Sequence, residues 1–278
     1  MAVKYNYGFL DEDSKKEIRR SALKALAIPG YQVPFASREL PIGRGWGTGG
    51  LQLTLALIGK EDTLKVIDQG YDESVNAINL KKLISKCTDV KTTTDSEKAT
   101  LIQTRHRVPE IPMRNDQILI LQVPIPEPLR EIEGSESETK KLHADTEYSG
   151  AWLSLYEDIV KFDEVTQGAD YPTLVNNRYM MSPSPIPRYD NNKLNMSETT
   201  YLFGAGREKK IYALPPYTKV VSLAFEDFPF EVEDFKGKSC KICGATDVFL
   251  DEVFNQDTGD IFYQCSDTGY CEKRRKEV

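Results

Sequence analysis

The sequence predicts an α+β fold, with a mixed sheet-and-helix main domain followed by a C-terminal, cysteine-rich β-ribbon module. Three observations predict this class. Helical periodicity near the start and apolar strand-like segments in the middle indicate helices and strands in one large domain. From about Gly237 the composition changes to small, polar and cysteine-rich residues. We therefore place the main domain at residues 1–236 and the module at residues 237–278.

The first predicted helix follows Ser14, which stands three residues before Glu17 as in a capping box. Pro29 and Gly30 are expected to end it. Residues 51–57 alternate leucine with other side chains, which predicts a strand.

Further along the chain, residues 72–87 predict a second helix. Residues 99–104 and 117–123 predict two strands of a sheet, and residues 171–181 predict a hairpin. No internal repeat is visible, so a single main domain accounts for these elements.

Charge and composition exclude several function classes. The chain of 278 residues has 36 basic and 43 acidic residues, and this net negative charge argues against non-specific binding of nucleic acid or of an anionic membrane. No apolar run is long enough for a membrane span, and the N-terminus does not have the form of a secretory signal. We expect a cytoplasmic protein.

The C-terminal cysteines form a metal-ligand pattern. Cys240, Cys243, Cys265 and Cys271 have the spacing C-x2-C-x21-C-x5-C, and a turn at residues 257–260 is expected to return the chain as a hairpin. One interpretation is a structural zinc ribbon that uses all four thiolates. The other is a four-iron cluster on three cysteines, which leaves Cys271 free and accounts for the five-residue gap.

Two other segments are candidate anion sites. The segment 45–50 (GWGTGG) fits G-x-G-x-x-G, but a strand is expected after it where a dinucleotide site needs a helix, so the alternatives are an anion-binding loop or a plain turn. Arg105, His106 and Arg107 end a predicted strand. Two guanidinium groups can bind a phosphate and a histidine can move protons, although surface arginines beside an edge strand fit equally well.

Several long segments together resemble the PhnJ family, the catalytic subunits of bacterial carbon–phosphorus lyases. The matching segments, together with the four cysteines, are residues 27–35 (AIPGYQVPF), 45–50, 65–70 (KVIDQG), 102–107 (IQTRHR), 122–130 (QVPIPEPLR) and 202–209 (LFGAGREK). The resemblance implies a radical S-adenosylmethionine enzyme with a [4Fe–4S] cluster on Cys240, Cys243 and Cys265. It also implies a glycyl radical on Gly30 and a thiyl radical on Cys271.

The same resemblance implies the reaction and the partners. The substrate would be α-D-ribose 1-methylphosphonate 5-phosphate, and the products would be α-D-ribose 1,2-cyclic phosphate 5-phosphate and methane. We expect Arg105, His106, Arg107 and Gln122 to contact the substrate, and zinc on all four cysteines, with Cys271 as the fourth ligand, in an inactive form. Partners would be the lyase subunits PhnG, PhnH and PhnI and an ATP-binding-cassette subunit, PhnK. The alternative is a non-catalytic zinc-ribbon scaffold.

Overall fold

The structure is a computed structural model, and it describes residues 10–31, 33–36, 48–68, 72–105, 108–123, 173–175, 178–180, 195–205, 209–222, 235–246, 248 and 250–277. Within these ranges, no helix combines the length and the apolar character needed to cross a bilayer.

Four helices and twelve strands make up the described part of the chain. The helices are α1 (Glu12–Ala27), α2 (Thr48–Leu57), α3 (Val75–Thr88) and α4 (Thr268–Glu277). The strands are β1 (Val33–Pro34), β2 (Thr63–Asp68), β3 (Lys91–Thr92), β4 (Leu101–Arg105), β5 (Ile118–Val123), β6 (Thr173–Val175), β7 (Arg178–Met180), β8 (Thr200–Ala205), β9 (Lys210–Leu214), β10 (Val220–Ser222), β11 (Leu250–Phe254) and β12 (Ile261–Cys265).

A seven-stranded mixed sheet organises the main domain, in the order β1-β9-β8-β5-β4-β2-β3. Strands β3, β2, β4, β5 and β8 pair in parallel, whereas β9 pairs antiparallel with both β8 and β1. A three-stranded antiparallel sheet (β10-β6-β7) and the β11–β12 hairpin complete the strand structure. Mixed sheet, helices and a cysteine-bearing hairpin confirm the predicted α+β class.

Two apolar clusters cover the two faces of this sheet. Side chains of α1, α2 and α3 pack on one face around Val66 and Ile120. The other face buries Phe203, which stacks on Tyr212 with ring centroids 4.5 Å apart. Because both faces are covered, the central parallel strands have no solvent-facing side and carry mostly apolar side chains, with a few buried polar and charged ones among them.

Most of the predicted helices and strands are confirmed. The helix expected at 72–87 is α3, which Ser74 caps by accepting a hydrogen bond from the Ala77 N–H. The strands expected at 99–104 and 117–123 are β4 and β5, and the hairpin expected at 171–181 is formed by β6 and β7. The first helix does end before Gly30, whose φ of 77° lies in the left-handed region.

Two predictions of local structure are wrong. Residues 51–57 are part of helix α2. Residues 51–56 are all buried, so the alternation of leucine with other residues does not mark a buried and an exposed face of a strand. The N-cap of α1 is Asp11, whose side chain accepts a hydrogen bond from the Ser14 N–H at 2.7 Å, so that Ser14 lies inside the helix.

The boundary between residues 236 and 237 stays a prediction. Phe235 packs partly against the second apolar cluster of the main domain and partly against the cysteine core. Residues on both sides of the predicted boundary therefore share contacts.

We expect Gly204→Ala to destabilise the fold by about 1–3 kcal/mol, because its Cβ would lie about 2.6 Å from the carbonyl oxygen of Gly49 at the start of α2. The matched control is Gly59→Ala, whose Cβ would meet only the flexible Asp62 carboxylate at 3.3 Å. Urea unfolding of both variants measures the difference. Equal stability of the two would show that α2 is not seated against β8 as described.

Candidate metal centre and strand-end site

The first two cysteines lie on a tight knuckle before the hairpin. The Gly244 N–H donates to the carbonyl of Cys240 at 2.8 Å, and the Cys240 N–H donates to the carbonyl of Ala245 at 2.9 Å. The sulfur of Cys240 accepts hydrogen bonds from the N–H groups of Ile242 and Cys265, at 3.4 and 3.3 Å. These donors favour a thiolate at Cys240.

The hairpin and helix α4 bring the other two cysteines to the knuckle. Cys265 ends β12, and Cys271 lies in the first turn of α4, so the five-residue gap is the length of a turn plus the helix start. The Sγ atoms of Cys240 and Cys271 are 3.7 Å apart and those of Cys243 and Cys265 are 3.5 Å apart. All four sulfurs lie within 4.8 Å of one another, and all four residues are buried.

This geometry fits one tetrahedral metal ion. With metal–sulfur bonds of about 2.3 Å, the edges of a tetrahedron of thiolates are about 3.8 Å long, close to the two sulfur separations. A four-iron cluster binds each thiolate to a different iron and requires the sulfurs to lie further apart. The cysteines can therefore bind a metal, and in the described arrangement the sulfur of Cys271 lies where a fourth ligand would, as expected for the zinc form.

The cysteine thiols differ in their acidity. Burial would raise the pKa of Cys240, but N–H hydrogen bonds from Cys243, Cys265 and Ile242 outweigh it and lower that pKa to about 7. Burial, together with the neighbouring Cys240 and Cys243 sulfurs, raises the pKa of Cys271 to about 12 and that of Cys265 further. Cys240 is thus the first of these three to ionise, and the other two do so when a cation replaces their protons.

A second group of side chains lies at the carboxyl ends of the parallel strands. Arg105 ends β4, and Asp68 ends the neighbouring β2. Arg105 Nε lies 2.7 Å from Asp68 Oδ1, and its Nη2 donates to Oδ2 at 3.3 Å. The carboxylate holds the guanidinium through two contacts and thereby fixes its orientation.

Gln122 lies beside this pair, near the end of β5, where the register puts it next to the position of Arg105. Its side-chain oxygen accepts a hydrogen bond from the Gly50 N–H at the start of α2. The structure therefore brings Arg105 and Gln122 to adjacent strand ends. Of the other residues predicted to contact substrate, His106 and Arg107 lie outside the described residues.

The segment 45–50 leads into a helix, and the strand that we expected after it is absent. The N-terminus of α2 lies against Gln122 and Gly204, near the carboxyl ends of β5 and β8. The helix removes the objection to a dinucleotide site that rested on the expected strand, and helix N-termini at this edge of a sheet favour anions. Residues 45–47 lie outside the described residues.

Gly30 lies beside β9, towards the opposite end of the strand order from β2 and the cysteine module. Its N–H donates to the carbonyl of Ala213 on β9 at 3.1 Å. The register connects Ala213 through β8, β5 and β4 to Val66 on β2, beside which the module packs. Four strand intervals separate these two positions, about 19 Å along the sheet.

Comparison with known proteins gives the family. The family model of the phosphonate metabolism protein PhnJ matches residues 3–277. This chain belongs to the PhnJ family. A relative from Rhizobium meliloti (strain 1021) is 55% identical over 98% of this chain and 91% of its own length, and is named alpha-D-ribose 1-methylphosphonate 5-phosphate C-P-lyase. A relative from Escherichia coli (strain K12) with the corresponding name is 53% identical over 97% of this chain and 96% of its own. The resemblance given by the sequence segments is thereby confirmed.

Sequence reasoning missed two charged residues near these sites. Asp68 is the acidic partner of Arg105, and Lys65 contacts the cysteine module through Asp267. Both lie on β2, which carries no alternation because it is buried on both faces. The available signals were their charges within a largely apolar segment and their place in the segment 65–70 that resembles the family.

We expect metal binding to release at least two protons per ion near pH 7, from Cys265 and Cys271, because their pKa values are raised and a metal requires thiolates. The apparent affinity for Zn²⁺ should therefore rise by at least about 100-fold per pH unit near neutrality. Calorimetric titration of the reduced, metal-free chain in buffers of different ionisation enthalpy measures the proton count.

Cys87→Ser is the control for this titration, since Cys87 is not among the four clustered cysteines. Its proton release should equal that of the unchanged chain. Cys271→Ser should bind Zn²⁺ more weakly and release fewer protons. Zinc binding without proton release would contradict the assigned acidities.

Proposed function

We propose that this chain is a carbon–phosphorus lyase that converts α-D-ribose 1-methylphosphonate 5-phosphate to α-D-ribose 1,2-cyclic phosphate 5-phosphate and methane in phosphonate catabolism. The names of both relatives support the substrate, since each relative is more than 50% identical to this chain over nearly its whole length. The observation that supports the chemistry is the convergence of four cysteines, one of which reaches the group from a separate helix.

The cofactors of this proposal are a [4Fe–4S] cluster and S-adenosylmethionine. Cys240, Cys243 and Cys265 would hold the cluster after moving apart from the arrangement described, and Cys271 would be released from the group. When bound, the cofactors supply a 5′-deoxyadenosyl radical. Zinc on all four thiolates then corresponds to an inactive form, which the sulfur separations fit.

Gly30 would store the radical. It is buried, has no side chain to obstruct its α-carbon, and is held by the hydrogen bond to Ala213. Loss of its Cα hydrogen atom gives a radical that lies between an amide nitrogen and a carbonyl. The thiol of Cys271 then donates its hydrogen atom to the Gly30 α-carbon and becomes a thiyl radical.

Cys271 would carry out the bond cleavage. Its sulfur forms a bond to phosphorus as the phosphorus–carbon bond breaks, and the methyl radical takes a hydrogen atom from Gly30 and leaves as methane. The ribose 2-hydroxyl then attacks phosphorus and displaces the cysteine sulfur, which recovers a proton. One C–P bond is exchanged for the cyclic ester, and the glycyl radical is restored.

The strand ends would bind the substrate's phosphate and phosphonate oxygens. Arg105 presents a guanidinium that Asp68 orients, and Gln122 adds an amide on the next strand. We assign His106 and Arg107 to the same site from their positions in the sequence. A phosphate bound here would compete with Asp68 for some of the N–H donors of the Arg105 guanidinium.

Transfer between Gly30 and Cys271 needs a rearrangement in this proposal. Gly30 is hydrogen-bonded to β9 and the cysteine module packs beside β2, and these two strands lie about 19 Å apart along the sheet, whereas hydrogen-atom transfer requires contact. The cysteine module therefore has to leave its place beside β2, an opening of the kind that limits turnover in many enzymes. Binding of partner subunits is the natural cause of such a movement.

A second candidate is a zinc-ribbon scaffold with no chemistry of its own. The closed four-thiol geometry favours it, because a structural zinc site uses all four positions. In that case PhnG, PhnH, PhnI or PhnK would have to contribute the catalytic residues of a shared complex.

We expect Cys271→Ser, reconstituted anaerobically with the partner subunits, iron and sulfide, to cleave S-adenosylmethionine while methane release falls by at least about 100-fold. Gly30→Ala should also lose methane. Gas chromatography of methane and quantification of 5′-deoxyadenosine separate the two steps.

Gly259→Ala is the matched control for Gly30→Ala. Gly259 has a similar left-handed φ of 75° but lies at the exposed turn of the hairpin with open space around it. The control should release methane within about two-fold of the unchanged chain, since it shares with Gly30→Ala only the strain of alanine at a left-handed φ. Full methane release by Cys271→Ser, or zinc that iron never replaces together with no cofactor cleavage, would favour the scaffold.

A further inference from the structure

Lys65 is an ammonium group in the interior of the protein. It lies on β2 of the central sheet and its side chain is fully buried. Its three donors meet three acceptors, which are Asp72 Oδ2 at 2.9 Å, Asp267 Oδ1 at 3.1 Å and the carbonyl of Thr94 at 2.6 Å. An ammonium has three N–H bonds, so the group is satisfied only when all three acceptors are present.

The acceptors come from three different parts of the chain. Asp72 follows β2, Thr94 follows β3, and Asp267 belongs to the cysteine module. Asp72 and Asp267 are both almost completely buried. Burial raises the pKa of Asp72 to about 6, Lys65 opposes the rise, and the neighbouring Asp267 adds to it. Lys65 is therefore the positive charge that allows the two carboxylates to be buried together.

Both carboxylates also hold the N-terminus of α4. Asp267 accepts the N–H of Tyr270 at 3.0 Å, and Asp72 accepts the N–H of Gly269 at 3.2 Å. A main-domain carboxylate thus caps a helix of the module. A Cβ at Gly269 would collide with the carbonyl of Thr94, so only glycine allows this close approach.

Cys271 lies at the next position along this helix start. Its N–H donates to the carbonyl of Asp267 at 3.0 Å, and its sulfur completes the cysteine group. The other three cysteines lie on the knuckle and the hairpin, whose backbone hydrogen bonds do not involve α4. The position of one sulfur of the four is therefore set from the main domain.

We propose that the buried network of Lys65, Asp72 and Asp267 is a joint that positions the Cys271 thiol in the cysteine group by fixing the start of α4 on the main domain. Lys65 is a positioning residue that acts through Asp267. When the joint is closed, Cys271 is a fourth ligand. When it opens, Cys271 leaves with α4 while Cys240, Cys243 and Cys265 remain together as a three-thiol site. The inference concerns metal coordination, and only its relevance to catalysis depends on the proposed function.

The test uses Co²⁺ as a probe in the full-length, reduced chain. Lys65→Met keeps the length of the side chain and removes the charge. We expect the thiolate-to-cobalt charge-transfer absorbance to fall by about a quarter, as one of four thiolates is lost. With cobalt bound, alkylation of Cys271 by iodoacetamide should become at least about ten-fold faster, while the other three cysteines stay protected. Peptide mass spectrometry assigns each site.

Gly269→Ala tests the same joint by steric displacement and leaves no buried carboxylate without its cation. It should give the same spectrum and the same selective alkylation, and it decides the matter if Lys65→Met does not fold. Glu97→Gln is the control, because it removes the exposed pair with Lys273 between the same two parts of the chain. That variant should retain four-thiolate cobalt.

Two results would overturn the proposal. Four-thiolate spectra and protected Cys271 in folded Lys65→Met and Gly269→Ala would show that the metal alone positions the thiol. Equal loss of protection at all four cysteines would show that the network supports the folding of the whole module. Neither readout uses lyase activity, so a failed lyase proposal leaves this outcome unchanged.

Discussion

Parallel hydrogen bonding between β2, β4, β5 and β8 determines where the candidate substrate-binding residues of the main domain lie. Because the carboxyl ends of these strands meet at one edge, Asp68, Arg105 and Gln122 become neighbours although the chain separates them by tens of residues. The same edge receives the start of α2, which is the position where open α/β sheets bind anionic ligands. The sheet order also places β9, and with it Gly30, four strands from β2 and the cysteine module. The strand order therefore brings the candidate substrate-binding residues together and places Gly30 far from the cysteine module.

The cysteine module depends on a different kind of interaction. It has a small apolar core in which the four cysteines themselves are members, so a bound metal would contribute directly to its folding. Its attachment to the main domain is ionic, through a fully buried lysine and two carboxylates. Removing one partner of such a network leaves a buried charge unpaired, which typically costs about 3–5 kcal/mol, whereas a hydrophobic contact weakens gradually. An attachment of this kind is closed or open, with little stability in between.

The sequence predicted the cysteine ligands and the hairpin because all four cysteines lie within a short stretch of chain, residues 240–271. Their spacing and the turn between them are enough to predict that they meet at one metal site. It also predicted α3 from apolar residues at helical spacing, and β4 and β5 from short apolar segments. Residues 51–57 were misassigned because α2 is buried all round, so no polar face distinguishes a helix from a strand there. Pairings such as Arg105 with Asp68, or Lys65 with Asp267, could not be predicted, since they depend on strand order, and in the second case on a contact across 202 positions of sequence.

The position of Cys271 connects the metal centre with the proposed reaction. A thiol that coordinates a metal beside Cys240 is not available to attack phosphorus. A helix attached beside β2 also keeps its thiol four strands away from β9, to which Gly30 is hydrogen-bonded, and hydrogen-atom transfer requires contact. Both difficulties disappear if α4 leaves Lys65, because the same movement frees the sulfur and removes it from the β2 side of the sheet. The carboxylate of Asp267 would then be exposed to water, and Lys65 would keep Asp72 and the Thr94 carbonyl as partners. Lys65 therefore loses one of its three acceptors when α4 leaves, and this loss favours the closed state.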